Sequence, residues 1–174
     1  MMLIEPSTEY ADQIRAYRQE FLDRGDSMDG TGPLRRMDDP EEWIEHSIKC
    51  KDPRFVPKGL VPATQYLFVR KEDQKIVGMI QIRHYFNDHL EKFGGHIGYS
   101  VAPSERRKGY AAQMLKMTLP KCRALGLDKV LITCIKGNVG SKKTILKNGG
   151  VYESTVFEPD EGVELERYWI DLSE

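Results

Sequence analysis

Apolar residues near the N-terminus recur at the three- and four-residue spacing of an amphipathic helix. The residues in this pattern are Tyr10, Ile14, Tyr17, Phe21 and Leu22. A short strand at residues 3–6 is predicted to precede the helix, and Ser7 or Thr8 is predicted to cap it. This face is expected to pack in the core.

A second helix is predicted to begin at Pro40, after a loop at residues 25–40 that is rich in turn residues. A proline followed by two acidic residues is typical of a helical first turn. Trp43, Ile44 and Ile48 are predicted to face inward.

The rest of the chain alternates between strand and helix patterns. The predicted elements are strands at residues 64–70, 76–84 and 96–101, a helix at 111–125, a strand at 129–135, a helix at 141–147 and a hairpin over 151–172. Because a helix separates the strands at 96–101 and 129–135, these two strands are predicted to be parallel. The pattern therefore predicts a mixed α/β fold, in which antiparallel strands surround one central parallel pair.

The loop after the strand at 96–101 carries Arg106, Arg107, Lys108 and Gly109 and leads directly into a helix. The first N–H groups of a helix lack intrahelical partners, and the helix dipole makes them an anion site. Glycine allows a phosphate to approach the backbone closely. The loop is therefore a candidate phosphate site, and the alternative is a solvated charge cluster before an ordinary helix.

The run R-x-x-G-x-A from Arg106 to Ala111, preceded by V-x-P-x-x-R, resembles the acetyl-CoA-binding motif of the GNAT acyltransferases. With Gly95 to Val101 before it and Asn138, Ser141 and residues 147–150 after it, the chain resembles a bacterial branch of uncharacterised predicted acetyltransferases. The resemblance covers about residues 66–155.

This resemblance implies the GNAT fold, with the central parallel strands splayed apart and helices on both faces of the sheet. It also implies acetyl-CoA as co-substrate, with the backbone of the first splayed strand bound to pantetheine. Val101 N–H would in addition donate to the thioester oxygen. The implied cofactor-binding residues are Tyr99, Ser100, Val101, Arg106, Arg107, Lys108, Gly109, Tyr110, Ala111, Asn138 and Ser141.

Acetyl transfer to an amine needs a base for the amine proton, and two histidines are candidates. His96 begins the strand that would hold the thioester, and His84 ends the neighbouring strand. A structural role is the alternative for each, since a lone histidine at a strand end is more often a hydrogen-bonded core or surface residue.

Protonation of the thiolate has no obvious donor in the sequence. Many relatives use a tyrosine seven residues beyond the asparagine, and Ile145 stands at that position here. Tyr110, Tyr152 and Tyr168 are the alternatives considered, in no order of preference. Without an acid, a non-catalytic acyl-CoA sensor or interaction domain is the alternative to an N-acetyltransferase acting by direct attack.

The acceptor is expected to be an amine, and a cationic one is favoured because acidic residues occur where the family builds its acceptor pocket. These residues are Asp23, Asp26, Asp29, Asp38, Asp39, Glu41, Glu42, Glu158, Asp160, Glu161, Glu164 and Glu166. Solvated loops with the same composition are the alternative.

Composition narrows the class of protein further. The 174 residues suit one domain, and a formal net charge of -1 argues against general nucleic-acid binding. Three cysteines without C-x-x-C spacing indicate neither a disulfide framework nor a metal site. No apolar run suits a membrane helix, so a cytoplasmic protein without a membrane partner is expected. Family habit makes a homodimer through the sheet edge or C-terminal hairpin a candidate assembly.

Overall fold

The computed structural model describes residues 1–173, which form seven strands and four α-helices. The strands are β1 (Met2–Ile4), β2 (Ala63–Arg70), β3 (Lys75–Arg83), β4 (Ile97–Val101), β5 (Lys129–Ile135), β6 (Val151–Glu158) and β7 (Val163–Asp171). The helices are α1 (Ala11–Arg24), α2 (Pro40–Lys49), α3 (Tyr110–Ala124) and α4 (Val139–Lys147). The predicted order of elements, including the C-terminal hairpin, is confirmed.

The helix starts agree with the sequence patterns only in part. Asp39 caps α2 by accepting a hydrogen bond from Glu41 N–H at 2.9 Å, and Pro40 is the first helical residue as predicted. Before α1, a single 3₁₀ turn at Thr8–Tyr10 intervenes, and the Ser7 side chain makes no capping bond. Ile48 is 49% exposed, so the prediction that it faces inward is wrong.

Two antiparallel sheets meet at the centre of the fold. One has the strand order β1-β2-β3-β4, and the other has the order β5-β7-β6. His96 N–H donates to the Leu131 carbonyl at 2.8 Å, which joins the start of β4 to β5. No ladder of hydrogen bonds continues this contact among the described residues, so the predicted central pair is splayed.

Helices cover the first sheet on both faces, as predicted. Leu67 and Met79 pack under α1 and α2 with Phe21 and Trp43. The alternate residues of the same strands, Phe68 and Ile80 among them, pack with α3 and the second sheet. Because both faces are buried, β2 and β3 carry consecutive apolar residues in their central parts, at 66–69 and 76–80.

Candidate active site

The helix α3 begins at a left-handed turn. Gly109 is its N-cap residue with φ +80°, and Arg107 has φ +65°. Gln113 N–H donates to the Gly109 carbonyl at 3.2 Å, so the N–H groups of the intervening residues precede the helical hydrogen-bond pattern. Free N–H groups at a helix start can bind an anion, and the phosphate site predicted here from the sequence stays a prediction.

The cations of this loop are less available than the sequence suggests. Arg106 forms an ion pair with Asp26 at 2.8 Å, and its guanidinium lies 5.6 Å from the centre of the Phe21 ring. Lys108 pairs with Glu105 at 2.8 Å. Arg107 makes no ion pair with any residue between 1 and 173, so it is the loop cation best able to meet a phosphate.

Glu105 is a structural residue of the site that sequence reasoning missed. Its carboxylate is buried and pairs with Lys108, Lys75 and Arg70 at 2.8, 2.8 and 2.9 Å. Hydrogen bonds from Lys108 and Lys75 lower the pKa of Glu105 to about 2. Since Arg70 and Lys75 flank the β2–β3 turn, Glu105 connects the loop at residues 106–109 to the sheet.

A groove of about 500 Å³ runs between α3 and α4, beginning at Gly109. Lys116 and Lys147 line its sides, and neither forms an ion pair within the described part of the chain. Ala112 lines this groove, whereas Ala111, one of the implied cofactor-binding residues, does not. Tyr110 instead packs against Phe68 and accepts a hydrogen bond from Arg70.

On the edge of β4 that does not pair with β3, only every second residue has free backbone N–H and C=O groups. Ala102 N–H donates to the Val77 carbonyl at 2.9 Å, so Ser100, two residues earlier, also directs its backbone groups toward β3. Tyr99 and Val101 therefore direct theirs toward the gap beside β5. The expectation that Ser100 supplies free backbone groups is wrong, and its hydroxyl instead bonds Tyr17 at 2.9 Å under α1.

The gap between β4 and β5 opens into a cleft of about 310 Å³, which we call the splay cleft. Its lining residues are Ser27, Asp29, Gly30, Arg83, His89, Phe93, Gly94, Ile97, Gly98, Tyr99, Thr133, Cys134, Ile135, Asn138, Ser141, Glu158, Glu161 and Leu165. It brings the predicted Tyr99, Asn138 and Ser141 together.

Tyr99 and Ser141 are joined directly across this cleft. The Tyr99 hydroxyl lies 2.7 Å from Ser141 Oγ, and burial raises the pKa of Tyr99 to about 12. Asn138 Oδ1 accepts from Ser141 N–H at 3.1 Å and caps α4, which leaves its amide NH₂ for a ligand. The family resemblance implied a role only for the backbone of Tyr99. The position of its hydroxyl group is apparent only from the structure.

His96 connects the two sheets through hydrogen bonds to β5. Its Nδ1 accepts a hydrogen bond from Leu131 N–H at 2.9 Å, and its ring stacks on Phe86 at 4.0 Å between centroids. Burial and the nearby Arg83 lower the pKa of His96 to about 4. Because the lone pair of Nδ1 is occupied and Nε2 then carries the proton, this geometry argues against His96 as the general base.

His84 also lies outside the splay cleft. Its Nε2 lies 2.8 Å from Thr64 Oγ1, and burial lowers the pKa of His84. His89 is the histidine that lines the cleft, in the middle of the β3–β4 connection. No sequence pattern distinguished His89 from the other histidines.

The tyrosines considered as substitute acids do not line the splay cleft. Tyr168 donates to Glu166 in the core, and burial raises its pKa. Tyr152 lies exposed on β6, where its hydroxyl contacts Thr155. Ile145, at the position of the family's tyrosine, is fully buried in the core beneath α4.

The acidic wall of the cleft is smaller than predicted. Of the acidic residues named from sequence, Asp29, Glu158 and Glu161 line it. Asp29 is held in place by the following residues: Gly30 O accepts from Gln65 at 2.7 Å, and Thr31 O accepts from Trp43 at 2.8 Å. A Cβ on Gly30 would lie 2.2 Å from Gly98 O, so only glycine lets this loop cross β4.

Residues 1–173 hold no cluster of three or more metal-ligating side chains and no helix long and apolar enough to span a membrane. Their cysteines are all free.

Comparison with known proteins identifies this architecture. The model of the acetyltransferase (GNAT) family matches residues 31–149, which is more than half of the chain. No curated protein matches the sequence.

Solved structures share the fold at low sequence identity. Ribosomal-protein-S5-alanine acetyltransferase from Vibrio fischeri superposes with a TM-score of 0.73 at 16% identity, over 99% of this chain and 93% of that one. The microcin C7 self-immunity acetyltransferase MccE, in complex with acetyl-CoA and AMP, gives a TM-score of 0.71 at 19% identity, over 97% and 91%. A spermidine N-acetyltransferase SpeG variant from Vibrio cholerae gives 0.66 at 13%, over 99% and 96%.

Proposed function

The chain belongs to the GNAT acetyltransferase family, whose members transfer acetyl groups, and we propose that it moves the acetyl group of acetyl-CoA to a primary amine by direct attack in a ternary complex. The observation that carries this proposal is the free edge of β4. It leaves the backbone groups of Tyr99 and Val101 facing away from β3, toward the gap beside β5, and the anion site at Gly109 follows in the same chain segment.

The cofactor would lie along this segment. The N–H groups at the start of α3 hold the pyrophosphate, together with Arg107, and Lys116 and Lys147 flank the groove where the remaining phosphate fits. The pantetheine arm then passes between α3 and α4 and pairs with the backbone of β4, as though it were another strand.

The chemistry requires one new bond and two proton transfers. The amine nitrogen forms a bond to the acetyl carbonyl carbon, the carbon–sulfur bond breaks, and the electron pair leaves with sulfur. Val101 N–H donates to the carbonyl oxygen as negative charge develops. The amine loses one proton and the thiolate takes one.

We assign the thiolate proton to Tyr99. Its hydroxyl lines the cleft and is oriented by Ser141, and a pKa of about 12 keeps it protonated at neutral pH. We propose that it replaces the helical tyrosine, whose position Ile145 occupies, and this proposal answers the main sequence argument for a non-catalytic sensor. Burial raises the pKa of Cys134 to about 11, so its thiol is a poor nucleophile and no acyl-enzyme is proposed.

For the amine proton we propose His89, since imidazole commonly accepts protons near neutral pH and this ring lines the cleft. Asp29 lies at the same cleft and would draw an ammonium ion toward it.

The test is an amine panel in which release of the CoA thiol is followed. Tyr99→Phe should lower kcat by about 10²-fold, the usual contribution of one general acid, without weakening CoA binding. Tyr152→Phe removes an exposed hydroxyl and is the matched control, so it should behave as wild type. If CoA binds but no amine in the panel is acetylated, a sensor is the better reading.

A further inference from the structure

Arg83 is a cation of the splay cleft with no assigned role. It is the last residue of β3, and its Nη1 donates to the carbonyls of Gly94 and Gly95 at 3.1 and 3.4 Å. A Cβ added to Gly98 would lie 3.0 Å from Arg83 Nη2. The β3–β4 connection therefore fixes the guanidinium beside Gly98, near the start of β4.

The remaining donors of Arg83 have no partner within residues 1–173. Every buried side-chain nitrogen and oxygen of these residues has a hydrogen-bond partner, so Nη2 and Nε, which have none, keep contact with solvent. Arg83 lines the cleft, and we infer that these two atoms face it. Burial lowers the pKa of Arg83, and Asp29 opposes this effect from a distance without forming an ion pair with Arg83. A partly enclosed guanidinium without a counterion has lost part of its hydration, and a bound anion would compensate for that loss.

The other charges of the cleft make it bipolar. Asp29 and Glu161 line it as exposed carboxylates, while Glu158 accepts from the backbone N–H groups of Asp160 and Glu161. An acceptor that is cationic along its whole length would meet Arg83 with repulsion. A molecule with an amine at one end and an anion at the other suits both halves of the cleft.

We propose that Arg83 selects acceptors that carry a carboxylate at a distance from the reacting amine, an inference that rests on the proposed function. A guanidinium presenting Nε and Nη2 side by side can bind a carboxylate through two parallel hydrogen bonds. The carboxylate thus lies beside Gly98, and the amine lies at the thioester beside Val101.

The distance along β4 sets the expected separation between the amine and the carboxylate of the acceptor. Val101 lies three positions beyond Gly98, and at about 3.3 Å per residue the two are roughly 10 Å apart. The amine and carboxylate of an α-amino acid are too close together to bridge this distance. An ω-amino carboxylate with several intervening methylenes fits it.

The experiment compares ω-amino carboxylates from β-alanine to ε-aminocaproate with their neutral ω-amino carboxamides, measuring kcat/KM by thiol release. Wild type should prefer the longer carboxylates over their amides by tenfold or more, as expected for a hydrogen bond between charged groups. Arg83→Gln should bring the ratio close to one, and Arg83→Lys should give an intermediate ratio. Arg15→Gln removes the same charge from the exposed surface of α1, so it should leave the ratio unchanged.

The ratio is measured within one protein, so a general loss of activity in a variant cancels. Equal rates for carboxylates and amides in wild type would overturn the inference while leaving N-acetylation intact, even if Arg83→Gln failed to fold. A preference that survives in folded Arg83→Gln would also overturn it. Absence of turnover with every amine would refute the proposed function and this inference with it.

Discussion

Protonation of His96 should destabilise the protein, because the histidine is held as a neutral hydrogen-bond acceptor at the junction of the two sheets. Its Nδ1 accepts from Leu131 N–H, and burial and Arg83 lower its pKa to about 4. In the unfolded chain a histidine has a pKa of about 6.5. Between these values the unfolded state binds a proton that the folded state does not.

The sign and size of the effect follow by linkage. Because the pKa is lower in the folded state, the stability from His96 is fully present above about pH 6.5 and is lost as the pH falls toward 4. Between pH 7 and pH 5 the loss amounts to about 2 kcal/mol in the free energy of unfolding.

The assay is urea unfolding of wild type and His96→Asn at pH 7 and pH 5. Asparagine offers an oxygen near the position of Nδ1 but does not titrate, so the variant should lose about 2 kcal/mol less than wild type on acidification. All other titrating groups are common to both proteins and cancel in the difference. An identical pH dependence for the two proteins would refute the structural role assigned to the ring.

Three further predictions concern the cofactor site and the core. Gly109→Val should abolish CoA binding measured by calorimetry, whereas Gly126→Val, which creates the same left-handed strain in open space at the far end of α3, should keep it; CoA binding by a folded Gly109→Val variant would contradict the phosphate site. Arg106→Ala should weaken CoA by about 1 kcal/mol or less, equally at low and high salt, because Asp26 already neutralises this cation; a loss that shrinks with salt would indicate direct phosphate contact. Ile145→Tyr should lower the free energy of unfolding by about 1–3 kcal/mol through overpacking, without raising turnover; a large gain in turnover would show that the helical position still serves as an acid.

Local sequence determined the elements and the cofactor side of the site. Strand and helix periodicity depends on neighbours a few positions away, so it predicted β2, β3, β5 and the terminal hairpin closely. The turn at Gly109 could also be predicted from local sequence, since a glycine in a left-handed turn before a helix is itself a local feature. Ile48 and the cap of α1 were missed because exposure and capping depend on what packs against the chain.

Only the tertiary structure decided the catalytic side. Whether a histidine acts as a general base or as a structural residue depends on the group that it contacts. His96 accepts a hydrogen bond from Leu131, 35 residues away. Tyr99 meets Ser141 across 42 residues, and a glycine contact with β4 brings Asp29 into the cleft. The roles that we propose for Tyr99, Asp29 and Arg83 depend on contacts made where β4 and β5 diverge, and no spacing within one segment encodes those contacts.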